Sequence, residues 1–114
     1  MFKIYTGILK SAKRDVLVES VSSRYLLDPE NIKPTISLHG FEWGCNCIST
    51  AQLALSLIKD ITNDDILALK LHGKLREEFL QYLPSRWKYT SIHLLDILKE
   101  LKAEKDFHSW KHLK

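Results

Sequence analysis

The first third of the chain alternates between apolar and polar side chains, which is the pattern of a half-buried strand. Residues 2–6 (FKIYT) and 16–21 (VLVESV) both show it, and both are rich in aromatic or β-branched residues. We expect them to pair as an antiparallel hairpin, with Gly7 permitting a bulge or bend. Residues 23–27 are predicted either as a short third strand or as a helical turn, and residues 35–38 (TISL) as a further strand that pairs with the hairpin.

From residue 50 onward the apolar positions recur every three or four residues, which predicts helices. The predicted elements are a helix over residues 50–61, a helix over residues 64–83, an extended edge strand over residues 86–89, and a helix that begins at Thr90 or Ser91. Pro84 ends the second of these helices. Thr62 or Asn63 is expected to cap its beginning, because both side chains can accept from backbone amides.

The start of the first helix, Ser49-Thr50-Ala51-Gln52, matches a capping box. In that motif the serine hydroxyl accepts a hydrogen bond from the amide three residues on, and the glutamine side chain reaches back to the serine amide. We therefore interpret Gln52 as a capping residue. The alternative is that its amide holds a ligand.

Together these elements predict an α+β fold in a single domain, with an N-terminal antiparallel sheet of two to four strands packed against three C-terminal helices. The expected parts are a β-rich region (1–39), a loop (40–49), three helices (50–102) and a basic and aromatic tail (103–114). The tail either extends the third helix or docks separately. Its Trp110 either anchors a partner, stacks on a base, or packs on the body of the protein.

The composition is typical of a folded protein, with 45% hydrophobic and 27% charged residues, and this excludes the disordered class. No apolar run approaches the roughly 20 residues of a membrane-spanning helix, and the first residues lack the apolar segment of a signal peptide. We expect a cytoplasmic protein with no membrane partner. The formal charge of +3 is a weak indication of an acidic partner, but the C-terminal lysines are interrupted by acidic residues and make no clean stripe for phosphates.

The loop 40–49 (GFEWGCNCIS) contains the most unusual chemistry of the chain. Cys45 and Cys47 are separated by one residue, a spacing at which good disulfide geometry is rare, so we expect reduced thiols that pack under the loop. His39, Cys45 and Cys47 are candidate zinc ligands, and a redox or nucleophilic role is a further alternative. Zinc ligands are more often two to four residues apart, and a clear fourth ligand is lacking. We therefore predict no metal and no cofactor.

The candidate binding residues are His39, Glu42, Trp43, Gln52 and Trp87. Both tryptophans are also typical core anchors, which would join the loop to the helices. Glu42 is expected to point to solvent or to pair with Arg86 or a lysine, and a catalytic pair with His39 is the alternative. If the protein binds a small ligand, we expect a pocket at the start of the first helix lined by His39, Trp43 and Gln52.

Two segments, Phe41-Glu42-Trp43-Gly44 and Ala51-Gln52-Leu53-Ala54-Leu55, resemble the signature of the domain of unknown function family 6166 of bacteria and phages. Leu83-Pro84 followed by Trp87 and Thr90 also fits that family, so the resemblance covers about residues 2–98. It implies an origin in a phage or mobile element and is nearly silent on function. Residues 46–49 stand where the family has glycines. The β-branched Ile48 therefore argues against a loop that wraps its amides around an anion.

We therefore predict a non-catalytic accessory or adaptor protein that binds a macromolecule. A protein is the preferred partner, and homodimerisation through a leucine-rich helical face is plausible. Two alternatives remain. One is a nucleic-acid-binding module, and the other is a small-ligand or nucleotide-binding protein that uses the loop before the first helix.

Overall fold

The fold combines one antiparallel sheet with helices on one of its faces. The computed structural model describes residues 2–37 and 39–112, and for residues 105–112 it describes the backbone alone. Within these residues lie strands β1 (Ile4–Lys10), β2 (Lys13–Glu19), β3 (Arg24–Leu26) and β4 (Trp87–Thr90), helices α1 (Ile48–Thr62), α2 (Asp65–Glu78) and α3 (Ser91–His112), and a 3-10 helix, Leu80–Tyr82. The predicted α+β class is confirmed, although one strand of the sheet comes from the C-terminal half.

The sheet has the order β3-β2-β1-β4, and each neighbouring pair is antiparallel. β1 and β2 form the predicted hairpin, which pairs without interruption from Ile4↔Glu19 to Lys10↔Lys13. Within the described chain, β4 pairs with β1 over a shorter length, from Ile4↔Thr90 to Gly7↔Trp87. The last three residues of β1 therefore extend beyond β4.

Gly7 lies in a regular part of this ladder, so the expected bulge or bend is absent there. A Cβ added to Gly7 would lie 2.3 Å from Nε1 of Trp87, because the indole ring rests directly on the glycine backbone. The glycine is thus explained by a close approach of side chain to backbone and not by a turn.

Helix α1 is the centre of the molecule. Nine consecutive residues, from Thr50 to Ile58, are buried, which means that this part of the helix is covered on all sides. Around it pack Tyr5, Val16 and Val18 from the sheet, Ala68, Leu71 and Leu75 from α2, and Leu94, Leu98 and Leu101 from α3. A helix enclosed in this way has its own polar groups inside the core, and these need internal partners.

The predicted boundaries between the helices need two corrections. Asp64 caps α2 by accepting a hydrogen bond from Leu67 N (3.0 Å), whereas Asn63 ends α1 in a left-handed conformation (φ 53°). The predicted helix 64–83 also breaks at Phe79, which is not helical and packs its ring against Tyr89. By contrast, the start of α3 is as predicted, since Thr90 Oγ1 accepts from His93 N (3.1 Å).

The remaining predictions concern segments outside the main elements. Residues 23–27 contain a strand, as one of the two alternatives had it, while residues 35–37 form none; Leu38 lies outside the described residues. The backbone of residues 103–112 continues α3, but the Trp110 side chain is not among those described. None of the helices in the described residues is long and apolar enough to cross a membrane.

Candidate functional site

Gln52 joins α1 to the loop that precedes it. Its side chain is fully buried, and its Oε1 accepts hydrogen bonds from Ile36 N (2.7 Å) and Ser37 N (3.1 Å). Its Nε2 donates to Pro29 O (2.7 Å). One amide therefore provides partners for three backbone groups at the two ends of the segment 29–37, which forms no strand of its own.

The predicted capping box is wrong. The residue before α1 is Cys47, and no side-chain hydrogen bond caps the helix. Ser49 instead shares a hydrogen bond with the hydroxyl of Ser37 (2.9 Å), and Gln52 points to the loop 29–37. The capping motif failed because tertiary hydrogen bonds took both of its side chains, which the local sequence does not reveal.

Trp43 is the anchor of the loop 40–49. It is 2% exposed, it donates from Nε1 to Ser85 O (3.2 Å), and its ring meets that of Trp87 edge to face at 5.4 Å. The next residue, Gly44, has a φ of 74° and lies against the carbonyl of Leu83, where a Cβ would come within 3.0 Å. This part of the loop is thus held by packing and hydrogen bonds, as the prediction of core anchors required.

Glu42 pairs with Arg14, and the expectation of Arg86 or a lysine as its partner is wrong. Its Oε1 accepts from Arg14 Nε and from Trp43 N (3.1 Å). The guanidinium of Arg14 also lies over the Trp43 ring, 5.0 Å from its centre. The pair is favourable because Arg14 and Val16 are on the same face of β2, which brings the guanidinium beneath the loop.

A polar cleft of about 570 Å³ lies between this loop and the turn of the β1–β2 hairpin. Its charged lining consists of Lys13, Arg14, Asp15, His39 and Glu42. His39 and Glu42 are therefore in one cleft, as a binding site would require. Trp43 and Gln52, however, are not among its lining residues, so the expected pocket at the start of α1 is not formed by the three predicted side chains.

The thiols of Cys45 and Cys47 are joined as a disulfide (S–S 2.08 Å), which contradicts the expectation of reduced thiols. The turn after Gly44 brings the two Cα atoms to 5.5 Å, within the range that a disulfide can span. The hydroxyl of Thr50 contacts both sulfurs, at 3.4 and 3.2 Å. Among the described residues, no group of three or more His, Cys, Asp and Glu side chains could hold a metal ion.

A further polar cluster, which the sequence did not point to, joins β1 and β3 to α1. The carboxylate of Asp60 accepts from the hydroxyls of Tyr5 (2.7 Å) and Tyr25 (2.8 Å) and from Lys3 Nζ (3.2 Å). Burial, followed by the bond to Asp60, raises the pKa of the Tyr5 phenol. Burial alone would lower the pKa of Lys3, but its bonds to Tyr25 and Asp60 raise it overall. The cluster is a structural clasp, because each phenol is held protonated as a donor.

The edge of β1 that faces β4 is open at the C-terminal end of the strand. Lys3 and Ser91 exchange hydrogen bonds, with Ser91 N donating to Lys3 O (2.8 Å) and Lys3 N to Ser91 Oγ (2.9 Å). Along an antiparallel strand, the N–H and C=O groups of every second residue point to the same side. Those of Lys3 point to the β4 side, so those of Leu9, an even number of positions further on, do as well. β4 begins at Trp87, opposite Gly7, and no backbone bond in the described chain joins Leu9 to the segment before β4.

This edge forms a notch of about 460 Å³, lined by Thr6, Gly7, Ile8, Leu9, Arg86, Trp87 and Lys88. The notch contains Trp87, one of the candidate binding residues, which is 7% exposed. Within the described residues, Trp87 Nε1 and Thr6 Oγ1 are buried and have no hydrogen-bond partner. No local sequence pattern indicates this site, because it depends on where two distant strands end relative to one another.

The sheet face that looks away from the helices is the third candidate surface. Tyr5 and Val16 point to the helices, so their neighbours along each strand point outward. The outward side chains include the apolar residues Ile4, Ile8, Leu17 and Leu26, of which the first three are half-buried. Leu26 is 55% exposed. We call these four residues and their charged neighbours the outer face.

Comparison with known proteins supports the resemblance seen in the signature segments. The model of a family described as "Family of unknown function (DUF6166)" matches residues 6–100, which is most of the chain. No curated protein and no solved structure matches this chain.

Proposed function

Because the chain belongs to the DUF6166 family, whose function is unknown, we propose from its surface that it is a non-catalytic adaptor that binds a protein partner through the outer face. The observation that carries this proposal is the group of apolar side chains on the outer face, of which Leu26 is exposed and Ile4, Ile8 and Leu17 are half-buried. An apolar centre with charged residues around it is the anatomy of a protein interface.

The charges around this centre favour a protein over a nucleic acid. Arg24 and Glu19 form an ion pair on the outer face (3.8 Å), and Asp15 lies opposite Ile8 in the β1–β2 ladder. Acidic side chains are thus interleaved with the basic ones. A surface that follows a phosphate backbone gathers its lysines and arginines without such interruptions.

The proposal is tested by capture of the partner from the native host with two matched variants. Leu26→Lys places a charge on the outer face, and Ile92→Lys is the control, because Ile92 is on α3 and is 59% exposed against 55% for Leu26. We expect Leu26→Lys to reduce recovery of a specific protein at least about tenfold and Ile92→Lys to leave it unchanged. A partner lost equally with both variants, or with neither, would refute the role of the outer face.

The captured partner can also be a second copy of this chain, which was the dimer expected from a leucine-rich helical face. Ile66 and Leu69, one turn apart on α2, are 78% and 44% exposed. Light scattering of the purified protein distinguishes the two surfaces. A dimer that dissociates with Ile66→Lys but persists with Leu26→Lys would place the contact on α2 and not on the sheet.

A second candidate function, the binding of a small polar ligand such as a nucleotide, is favoured by the polar cleft that includes His39 and Glu42. Its charged lining contains both basic (Lys13, Arg14) and acidic (Asp15, Glu42) side chains, and the volume of about 570 Å³ is in the usual range for ligand pockets. Thermal unfolding with nucleotides tests this function. A rise in Tm that Lys13→Ala abolishes would support it, and an unchanged Tm at millimolar nucleotide would leave the protein partner as the sole proposal.

A further inference from the structure

We propose that the notch between β1 and β4 binds an extended, acidic segment of the partner by adding it to the sheet as a strand. This inference rests on the proposed function, since it names the part of the partner that docks and the chemistry that recognises it. Strand addition uses backbone hydrogen bonds for affinity and side-chain pockets for selectivity.

The first support is the free edge at Leu9. Its N–H and C=O point away from β2, and in the described chain β4 stops one pair short of them, at Gly7↔Trp87. An exposed strand edge of this kind is a template for another strand. A peptide laid in the notch would accept from Leu9 N–H and donate to Leu9 C=O, and so continue the antiparallel ladder.

The second support is the lining of the notch. Ile8, Leu9 and Trp87 make its wall largely apolar, and this suits the side chains of an extended segment that point toward the sheet. Arg86 and Lys88, both exposed, are its charged residues, and the described lining includes no acidic side chain. The notch therefore favours an extended segment of the partner that carries both apolar side chains and carboxylates.

The third support is the pair of buried polar atoms without partners. Thr6 Oγ1 and Trp87 Nε1 both belong to residues of the notch, and Trp87 as a whole is 7% exposed. Buried polar atoms in folded proteins are normally paired, so the fold leaves two polar groups of these residues unsatisfied. The notch is also continuous with the outer face through Ile8 and Lys88, which lets one partner occupy both.

The experiment is an NMR titration of the full chain with a defined peptide, an acetylated and amidated hexapeptide of alternating glutamate and valine. We expect saturable shifts of the Leu9 amide and the Trp87 indole N–H. The same peptide with lysine in place of glutamate should bind at least about fivefold more weakly, because Arg86 and Lys88 repel it. Shifts that centre on the outer face or the polar cleft, or equal binding of the two peptides, would overturn the proposal.

Leu9→Pro is the decisive variant, because it removes the edge N–H and leaves the bonds to β2 in place. Proline is tolerated on an edge strand when its nitrogen faces outward. Leu9→Ala is the matched control, since it shortens the same side chain but keeps the N–H. We expect Leu9→Pro to weaken peptide binding at least about tenfold relative to Leu9→Ala; equal affinities would refute strand addition.

A second test does not depend on the folding of a variant. The same hexapeptide with an N-methyl group on every residue cannot donate to Leu9 C=O, so the wild-type protein should bind it at least about tenfold more weakly. Unchanged affinity would mean that no backbone pairing occurs. If a host partner is lost with Leu26→Lys but no peptide occupies the notch, the proposed function stands and the strand addition is wrong.

Discussion

The loop around Trp43 and the notch beside Trp87 show two opposite ways in which this chain treats its polar groups. In the loop, the indole N–H of Trp43 donates to Ser85 O, and in α1 both ends of the Gln52 amide have backbone partners. In the notch, the indole N–H of Trp87 has no partner among the described residues. The two tryptophans touch each other and both lie in the core, yet only one of their indole N–H groups has a partner in the described chain.

This difference distinguishes the residues that stabilise the fold from the surfaces that are available for binding. Of the two segments that resemble the family signature, residues Ala51 to Leu55 are all buried, and in Phe41 to Gly44 both aromatic side chains are buried, so most of these residues explain the fold. The available surfaces are instead formed where β1 extends beyond the end of β4 and on the sheet face opposite the helices. A signature made of core residues thus says little about the partner, because buried side chains cannot contact it.

The largest expected effect is the loss of the loop anchor. We expect Trp43→Ala to lower the free energy of unfolding by about 3–5 kcal/mol, because it leaves a cavity beside Trp87 and removes the bond to Ser85. Chemical denaturation measures the change. Tyr82→Ala, at a position 74% exposed, is the control and should cost less than about 0.5 kcal/mol; similar losses would mean that the loop is not an anchor.

The hydrogen bonds of the Gln52 side chain are the next test. Gln52→Ala leaves Ile36 N, Ser37 N and Pro29 O without their partner and should cost about 3 kcal/mol. Ser49→Ala removes one shared hydroxyl bond and should cost about 1 kcal/mol. Urea titrations of both variants compare them directly. If the two losses were equal, the capping box would be the better description of the start of α1.

The close approach of the Trp87 indole to Gly7 predicts a smaller loss of stability. Gly7→Ala puts a methyl group into the Trp87 ring, and we expect it to cost about 1–3 kcal/mol through displacement of the indole. The cost should shrink when Trp87→Phe is introduced as well, since the smaller ring leaves room. A Gly7→Ala protein as stable as the wild type would show that the indole does not rest on β1.

The smallest effect concerns the clasp around Asp60 and appears only at alkaline pH. The pKa of Tyr5 is raised in the folded protein, so above about pH 10 the unfolded chain loses a proton that the folded chain keeps, and stability falls with pH. The raised pKa of Lys3 acts in the same direction, because its contribution is lost as pH rises through its folded value. Tyr5→Phe should flatten this fall, as followed by denaturation at a series of pH values; an unchanged slope would exclude Tyr5 as its source.

The sequence predicted most of the fold because its signals there are local. Alternation predicted the hairpin, and a period of three to four residues predicted the helices with boundaries off by a few residues. The errors arose where distant groups compete with local ones. Gln52 serves residues 29–37 and not its own helix end, and Glu42 pairs with Arg14, which lies 28 positions earlier in the sequence. The notch had no sequence signal, since neither strand alone determines where the other ends.

Native-state hydrogen exchange tests the contrast between the paired groups around Gln52 and the open edge most directly. We expect the amides of Ile36 and Ser37, which donate to Gln52, to be protected. The amide of Ile8, which faces β2, should be protected as well. The amide of Leu9 should exchange at close to the rate of an unfolded chain. Strong protection of Leu9, or free exchange at Ile36 and Ser37, would contradict this contrast.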